Sequence, residues 1–440
     1  MTQTLEQTAR PVAKVDLESV DASLEHAESP EDKGHRISMG VLLAVIGLLM
    51  VWLGATTSGK ASFALSDAFA AVKLPTFTLS GPGTVFVGAI LCLLAAAALL
   101  TNLSPKLRIW LNILAGIGVV FGFAAWMAAV GTNHLPFQLS TQFNGTMAYA
   151  TPLILGALAG VMGENAGVVN VAIEGQFLTA AFSAALIGTI THSITVALIA
   201  GMLTGLLMGV LLALFSIKYL VDQVVLGVVL NLFASGLTGF LYTQFMSTNQ
   251  ARFNTAPVMQ DLAIPGLSKI PFFGPIIFEQ TILAYLALVC IFIVWFLLQR
   301  TKWGLRVRAV GEHPEAAETV GINVRAIRWQ AVLVGGLLAG LGGCFFTVGS
   351  TGGFVKDISS GYGFIALAAL IMGRWKPGLA ALMALLFGFV TNLGNQAGSL
   401  GVPMNPNILA ALPYIVTVIA VAGFVGRVVA PKADGVNYVK

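Results

Sequence analysis

A dozen apolar stretches separated by short polar loops set the possible folds of this 440-residue chain. A helix needs about 20 mostly apolar residues to cross the hydrocarbon core of a bilayer. Stretches of that kind run near 37–55, 83–101, 109–130, 147–163, 172–190, 194–216, 222–243, 280–299, 329–349, 359–373, 377–396 and 408–427. The expected fold is all-α, a polytopic membrane helix bundle of about 12 transmembrane spans. Only 23 Lys+Arg and 19 Asp+Glu are present, 10% of the chain, against about 25% in an ordinary soluble domain. So few charges cannot cover a soluble surface. A cytosolic enzyme, a disulfide scaffold and a nucleic-acid module are therefore excluded. Cys92, Cys290 and Cys344 lie in apolar runs and read as small core residues.

Twelve crossings put both termini on one side, and the basic residues test this. With the N-terminus inside, the inner loops and tails hold 18 of the 23 Lys/Arg, among them Lys33, Arg36, Lys106, Arg108, Lys218, Arg374, Lys376 and Arg427. The outer loops hold only Lys60, Lys73, Arg252, Lys269 and Lys356. Positive residues favour the cytoplasmic face, so both termini are expected in the cytoplasm. Residues 1–36 are rich in acids and poor in apolar groups, which predicts a disordered cytoplasmic tail. Residues 431–440 form a second cytoplasmic tail. The stretch 359–373 is short for a full crossing and is read as a span, or as a span finished by neighbouring irregular backbone. A re-entrant segment there would put Arg374, Lys376 and Arg427 outside. Glycines spaced by four, Gly201/Gly205/Gly209, Gly156/Gly160 and Gly336/Gly340, predict close helix packing within one bundle. Gly54 to Ala61 imitates a phosphate-binding loop, but Ala61 stands where that motif needs a magnesium-holding hydroxyl. No metal-ligand or catalytic spacing appears, so an enzyme is not expected.

Two polar clusters remain. The first, residues 163–176, brings Glu164, Asn165, Asn170, Glu174 and Gln176 to a segment otherwise short of polar groups. Charges at membrane depth are costly and usually face a cavity or a partner. The segment is either a broken helix lining a solute path or a tight turn in which Asn170 caps the next helix. The second cluster is the loop 300–328. Pro314 with Glu315 and Glu318 behind it starts a short helix, and Gly321 ends it. It forms a shaped, charged knob suited to docking a soluble partner.

Glu315-Ala316-Ala317 with Gly321 resembles the coupling loop of bacterial ABC importer permeases. The wider stretch WGLRVRAVGEHPEAAETVGI (303–322) resembles the permeases for nucleosides and simple sugars. Further stretches match the same family in order: 150–176, 221–232, 363–377 and 412–427. The resemblance covers residues 146 to the C-terminus, with 146–430 as the permease domain and 37–145 as extra N-terminal spans outside it. Asn165 departs from the family pattern, which has a basic residue there.

The resemblance implies a transport subunit in a multi-pass bacterial cell membrane, moving nucleosides inward by alternating access. Its implied partners are a separate ATPase subunit carrying ATP and magnesium, a second and different permease chain, and an external solute-binding lipoprotein. It implies that Arg306, Arg308, Glu312, Glu315, Ala316, Ala317 and Gly321 couple to the ATPase. Glu164, Asn165, Asn170, Glu174, Gln223 and Asn231 are candidate path or gate groups. The alternatives are a ribose-like sugar permease, and a proton- or sodium-driven secondary transporter using Glu164 and Glu174. A secondary transporter has no need of a docking loop at 300–328.

Overall fold

A computed structural model describes residues 30–66, 73–101, 103–424 and 429–439. Residues 1–29, most of the expected acidic tail, lie outside the described residues. The first helix, α1 (Pro30–Thr56), starts at Pro30 and so takes in the last residues assigned to that tail.

Ten helices among the described residues are long and apolar enough to cross a membrane. In chain order these include α1, α2 (Gly81–Leu100), α3 (Pro105–Val130), α4 (Leu139–Glu164), α5 (Ile173–Thr191), α6 (Ile194–Ala213) and α7 (Gln223–Leu241). After them come α8 (Ile282–Arg300), the shorter α9 (Lys302–Glu312) and α10 (Pro314–Thr319), then α11 (Val324–Gly343). α12 (Tyr362–Met372), α13 (Pro377–Ser399) and α14 (Pro406–Phe424) complete the bundle. The stretch 359–373 yields only the 11 residues of α12. At 1.5 Å per residue that helix is about 16 Å long, roughly half the hydrocarbon thickness. Local sequence explains the starts: Ser80, Asp222, Thr281 and Asn323 each accept a backbone N–H from the first turn of α2, α7, α8 and α11.

The expected glycine contacts form within the chain. Gly201, Gly205 and Gly209 of α6 lie against Gly336 and Gly340 of α11, where a Cβ on Gly205 would fall 2.4 Å from the Gly340 Cα. Backbones this close exclude any side chain and maximise dispersion contact.

Helices α1–α3 form a unit of their own, joined to the rest at one end. Strands β1 (Lys60–Ala64), β2 (Thr76–Ser80) and β3 (Phe137–Gln138) make a sheet in the order β2-β1-β3, with Phe63 paired to Phe137. Phe63 stacks on Phe121 at 4.8 Å and shares a core with Leu393, Leu400 and Leu409 of the α13–α14 region. Beside it, Thr132 N–H donates to Gly401 O, Asn133 N–H to Leu400 O and Asn133 Nδ2 to Ser399 O.

Contacts sort the loops into two ends. One end holds the sheet, residues 131–138 and 399–401. The other, basic end joins Arg36 to Leu99 O, Asn165 to Trp375 O, Ala433 to Gly311 O and Asn437 to Leu220 O. Residues 431–439 thus sit at the same end of the bundle as Gly311 and Leu220. The last segment is no loose tail, since Ala433 and Tyr438 are buried.

Candidate functional site

Between α4, the segment 345–351, α12, α13 and α14 lie two adjoining cavities of about 540 and 480 Å³, which share Tyr149, Ser360 and Tyr362. Thr141, Asn144, Ser350, Thr351 and Asn392 supply polar groups to the first, and Thr391, Asn395 and Tyr414 to the second. Among the described residues, none that lines either cavity carries a charge. Aromatic rings dominate one side. Phe346 meets Tyr362 edge-on at 5.3 Å, Phe345 meets Phe346 at 5.6 Å, and Tyr149 meets Phe345 at 6.4 Å. A space of this size, apolar with a few convergent amides and hydroxyls, suits a small neutral solute with a flat face.

The cavity rests on residues 357–362. Asp357, Ser360 and Gly361 all have positive φ, so the chain turns sharply before α12 begins. A helix starting in mid-bundle leaves backbone N–H groups without intrahelical partners, and lipid offers none. Glu174 meets that need from the first turn of α5. Its Oε1 accepts from Ser359 Oγ at 2.6 Å and Gly361 N–H at 2.8 Å, and its Oε2 accepts from Gly363 N–H at 2.7 Å. The carboxylate also lies at the positive end of the α12 dipole. Tyr414 Oη donates to Ser360 O from the far side. Gly363 is required here, because a Cβ on it would fall 2.4 Å from the Glu174 backbone nitrogen.

Between α4 and α5, residues 165–172 are irregular backbone running alongside the first half of α7. Val169 N–H donates to Gln223 Oε1 at 2.7 Å, Asn231 Nδ2 to Val171 O at 2.9 Å and Gly175 N–H to Asn231 Oδ1 at 2.8 Å. Gln223 and Asn231 are eight residues apart on α7, about 12 Å of helix, so the segment is held at two levels of that helix. The chain leaves α4 in a turn at 165–167 and then runs as irregular backbone to the start of α5. Asn170 does not cap α5; its Nδ2 donates to Gln176 Oε1 at 3.1 Å. Glu164 accepts from Trp375 Nε1, and Asn165 Nδ2 donates to Val161 O and Trp375 O. All six candidate path or gate groups therefore gather around one hairpin. Asn165, Glu174, Gln223 and Asn231 hold backbone groups, Glu164 and Asn170 hold side chains, and none of the six is among the residues lining the two cavities.

At the basic end, α9 and α10 form the knob. Thr301 Oγ1 accepts from Gly304 N–H at the start of α9. Gly321 has φ +83° with open space around its absent Cβ. Its N–H donates to Glu318 O, and Ile322 N–H donates to Ala317 O, closing the helix in a paired C-terminal cap. Arg306, Glu312, Glu315, Ala316 and Gly321 are exposed, Arg308 is half-buried, and Ala317 is buried beneath them. Leu305 and Val320 stand 61% and 75% exposed on the same knob, apolar groups that charge counting passes over. The cavity residues were equally missed. Tyr149, Tyr362, Asn392 and Asn395 are polar groups inside apolar runs, and that placement was the available signal.

At its C-terminal end the chain returns to the hairpin. The Asp434 carboxyl lies against that of Glu164, with the Arg328 guanidinium beside it, and burial pushes Asp434 up to about 7.

A family profile described as branched-chain amino acid transport system / permease component matches residues 142–421. Among curated relatives, the chain is 41% identical over 303 residues to the nucleoside ABC transporter permease protein NupC of Lactococcus lactis subsp. cremoris (strain MG1363), covering 67% of this chain and 95% of that protein. It is also 41% identical over 313 residues to the guanosine ABC transporter permease protein NupQ of Bacillus subtilis (strain 168), covering 69% and 97%. To the putative glucose ABC transporter permease protein TsgC13 of Haloferax volcanii, identity is 30% over 295 residues, covering 62% and 88%. No solved structure matches significantly.

Proposed function

The chain belongs to the branched-chain amino acid transport system / permease component family, and on that premise we propose that it is the membrane permease of an ATP-driven importer for nucleosides. One observation carries the substrate class: the cavities are aromatic and hold no charged side chain. An amino acid would bring an ammonium and a carboxylate to the cavity, where neither finds an ionic partner and both lose water. A nucleoside brings no charge. Its base offers a face for Tyr149, Phe346 or Tyr362, and its ribose hydroxyls suit Asn144, Asn392 and Thr351. The nucleoside and guanosine permeases named above support the same class.

In this reading the solute enters the cavity from a binding protein and rests on residues 357–362, which Glu174 holds. Glu164, Asn165, Asn170, Gln223 and Asn231 fasten the hairpin that closes the path beneath. A separate ATPase subunit, carrying ATP and magnesium, docks on Arg306, Arg308, Glu312, Glu315, Ala316, Ala317 and Gly321. A second permease chain completes the path, and a bacterial plasma membrane is the setting. Glu174 is already bonded to three donors, which disfavours it as the proton carrier of a secondary transporter.

The test is uptake of labelled nucleoside in cells expressing the whole system, with competitors in excess. Unlabelled nucleosides are expected to compete, while ribose and leucine leave uptake unchanged. Competition by ribose alone would move the assignment to the sugar class. Uptake that survives ATP depletion but collapses with an uncoupler would overturn the ABC reading.

A further inference from the structure

Residues 431–439 touch each part of the inner machinery in turn. Ala433 N–H donates to Gly311 O at the end of α9. Arg328 Nη1, on the first turns of α11, donates to Val436 O at 2.9 Å. Asn437 Nδ2 donates to Leu220 O at 2.6 Å, and Asn437 Oδ1 accepts from Gln223 Nε2 at 3.5 Å, the residue that holds Val169 of the hairpin. Tyr438 is 8% exposed and sits in a groove with Glu318, Gly321, Ile322, Asn323 and Arg325, the stretch of chain leaving α10.

The segment is also wedged. A Cβ on Gly167 would fall 2.8 Å from both Ala433 O and Arg328 Nη2, and one on Gly311 would fall 2.2 Å from Asn165 O. The docking knob, the hairpin and the start of α7 therefore meet with this segment packed against all three. Closely packed parts transmit a shift because interiors resist compression.

Resting on the permease reading above, we propose that residues 431–439 are the transmission strap of this transporter: Asn437 and Tyr438 position the hairpin 164–172 relative to the docking knob, so that movement of the knob reaches the gate. Tyr438 holds the strap to the knob by its buried ring. Asn437 holds it by two backbone carbonyls, of Leu220 and Val221, to the chain leading into α7 and, through Gln223, to the hairpin. Neither residue touches the cavity.

The experiment uses the full transporter, permease with its ATPase and second permease, in proteoliposomes with the binding protein. It reads solute taken up per ATP hydrolysed, and whether the ATPase co-purifies. In Tyr438→Ala and Asn437→Ala the ATPase is expected to co-purify and hydrolysis to continue, while uptake per ATP falls about tenfold, as expected when a state preference of roughly that ratio is lost. Tyr438→Phe, which keeps the ring, is expected to restore the ratio. An unchanged ratio in both alanine variants would overturn the proposal. So would loss of co-purification, which makes the strap a docking surface only, or a Tyr438→Phe protein as defective as Tyr438→Ala. The ratio is read with whichever solute stimulates hydrolysis, so failure of the nucleoside assignment leaves this test standing.

Discussion

Replacing Glu174 with glutamine changes one oxygen for an amide nitrogen and leaves shape nearly unaltered. The carboxylate has three donors, Ser359 Oγ and Gly361 N–H on one oxygen and Gly363 N–H on the other. Glutamine can keep its carbonyl toward the first two, but its NH2 then faces the Gly363 N–H, donor against donor. One charge-assisted hydrogen bond is lost, worth about 1.5–3 kcal/mol, and the stranded N–H costs about 1–3 kcal/mol more. The two surviving bonds weaken to neutral strength, so a total of roughly 3–5 kcal/mol is expected. A kilocalorie moves the melting midpoint by about 2–4 °C in chains of 150–250 residues and by less in longer ones, so the shift expected here is roughly 5 °C. Tryptophan fluorescence of the purified permease during heating reads it directly. The Glu174→Gln protein should also lose nucleoside affinity, because α12 and the floor of the cavity move together. A melting midpoint within about 1 °C of the parent, with unchanged KM for uptake, would refute the clamp.

Gly321→Val should abolish solute-stimulated ATP hydrolysis while the permease still inserts, because a β-branched residue resists φ +83°; Gly321→Asn, which tolerates that region, should retain most of it. Tyr362→Ala should raise the KM for a nucleoside about tenfold with a smaller change in maximal rate, since a base–aromatic stack is worth about 1–3 kcal/mol, and Tyr362→Phe should stay near the parent. The Asp434 carboxyl is raised to about 7 by burial, with Glu164 and Arg328 facing it, so the folded strap keeps a proton that the released strap gives up. That contribution is present at low pH and lost as pH rises through about 7. Proteolysis within residues 431–439 should therefore be faster at pH 8 than at pH 6, and Asp434→Asn should flatten the difference; an equally steep dependence in Asp434→Asn would assign it to another group.

The spans and the knob were legible in the sequence because each is a local pattern. Hydropathy marks a helix of 20 residues, and Pro314 with Gly321 brackets α10 whatever surrounds it. Two things were not local. Glu174 acquires its meaning from donors 185, 187 and 189 residues away, and no spacing within 163–176 announces them. The stretch 359–373 gave only its shortness; that α12 covers half the bilayer, with a carboxylate supplying its missing acceptors, needed the third dimension. The cavity was hidden for a different reason. Its polar groups are single residues scattered over α4, α12 and α13, each too weak a signal inside an apolar run. The C-terminal residues read as a tail because a short polar stretch carries no periodicity, and their packing depends on backbone carbonyls that sequence does not distinguish.

The sheet that joins α1–α3 to the facing ends of α13 and α14 has a mechanical corollary. Thr132 and Asn133 pin residues 399–401, and Phe63 and Phe137 brace Leu393 and Leu409. The same two helices form one side of the solute chamber. The sheet thus ties that side of the chamber to α1–α3, and any movement of it has to carry those helices along. The matches to NupC and NupQ take up 95% and 97% of those proteins but only 67% and 69% of this chain. The family profile begins at residue 142, so α1–α3 and all three strands of the sheet lie outside the stretch it matches.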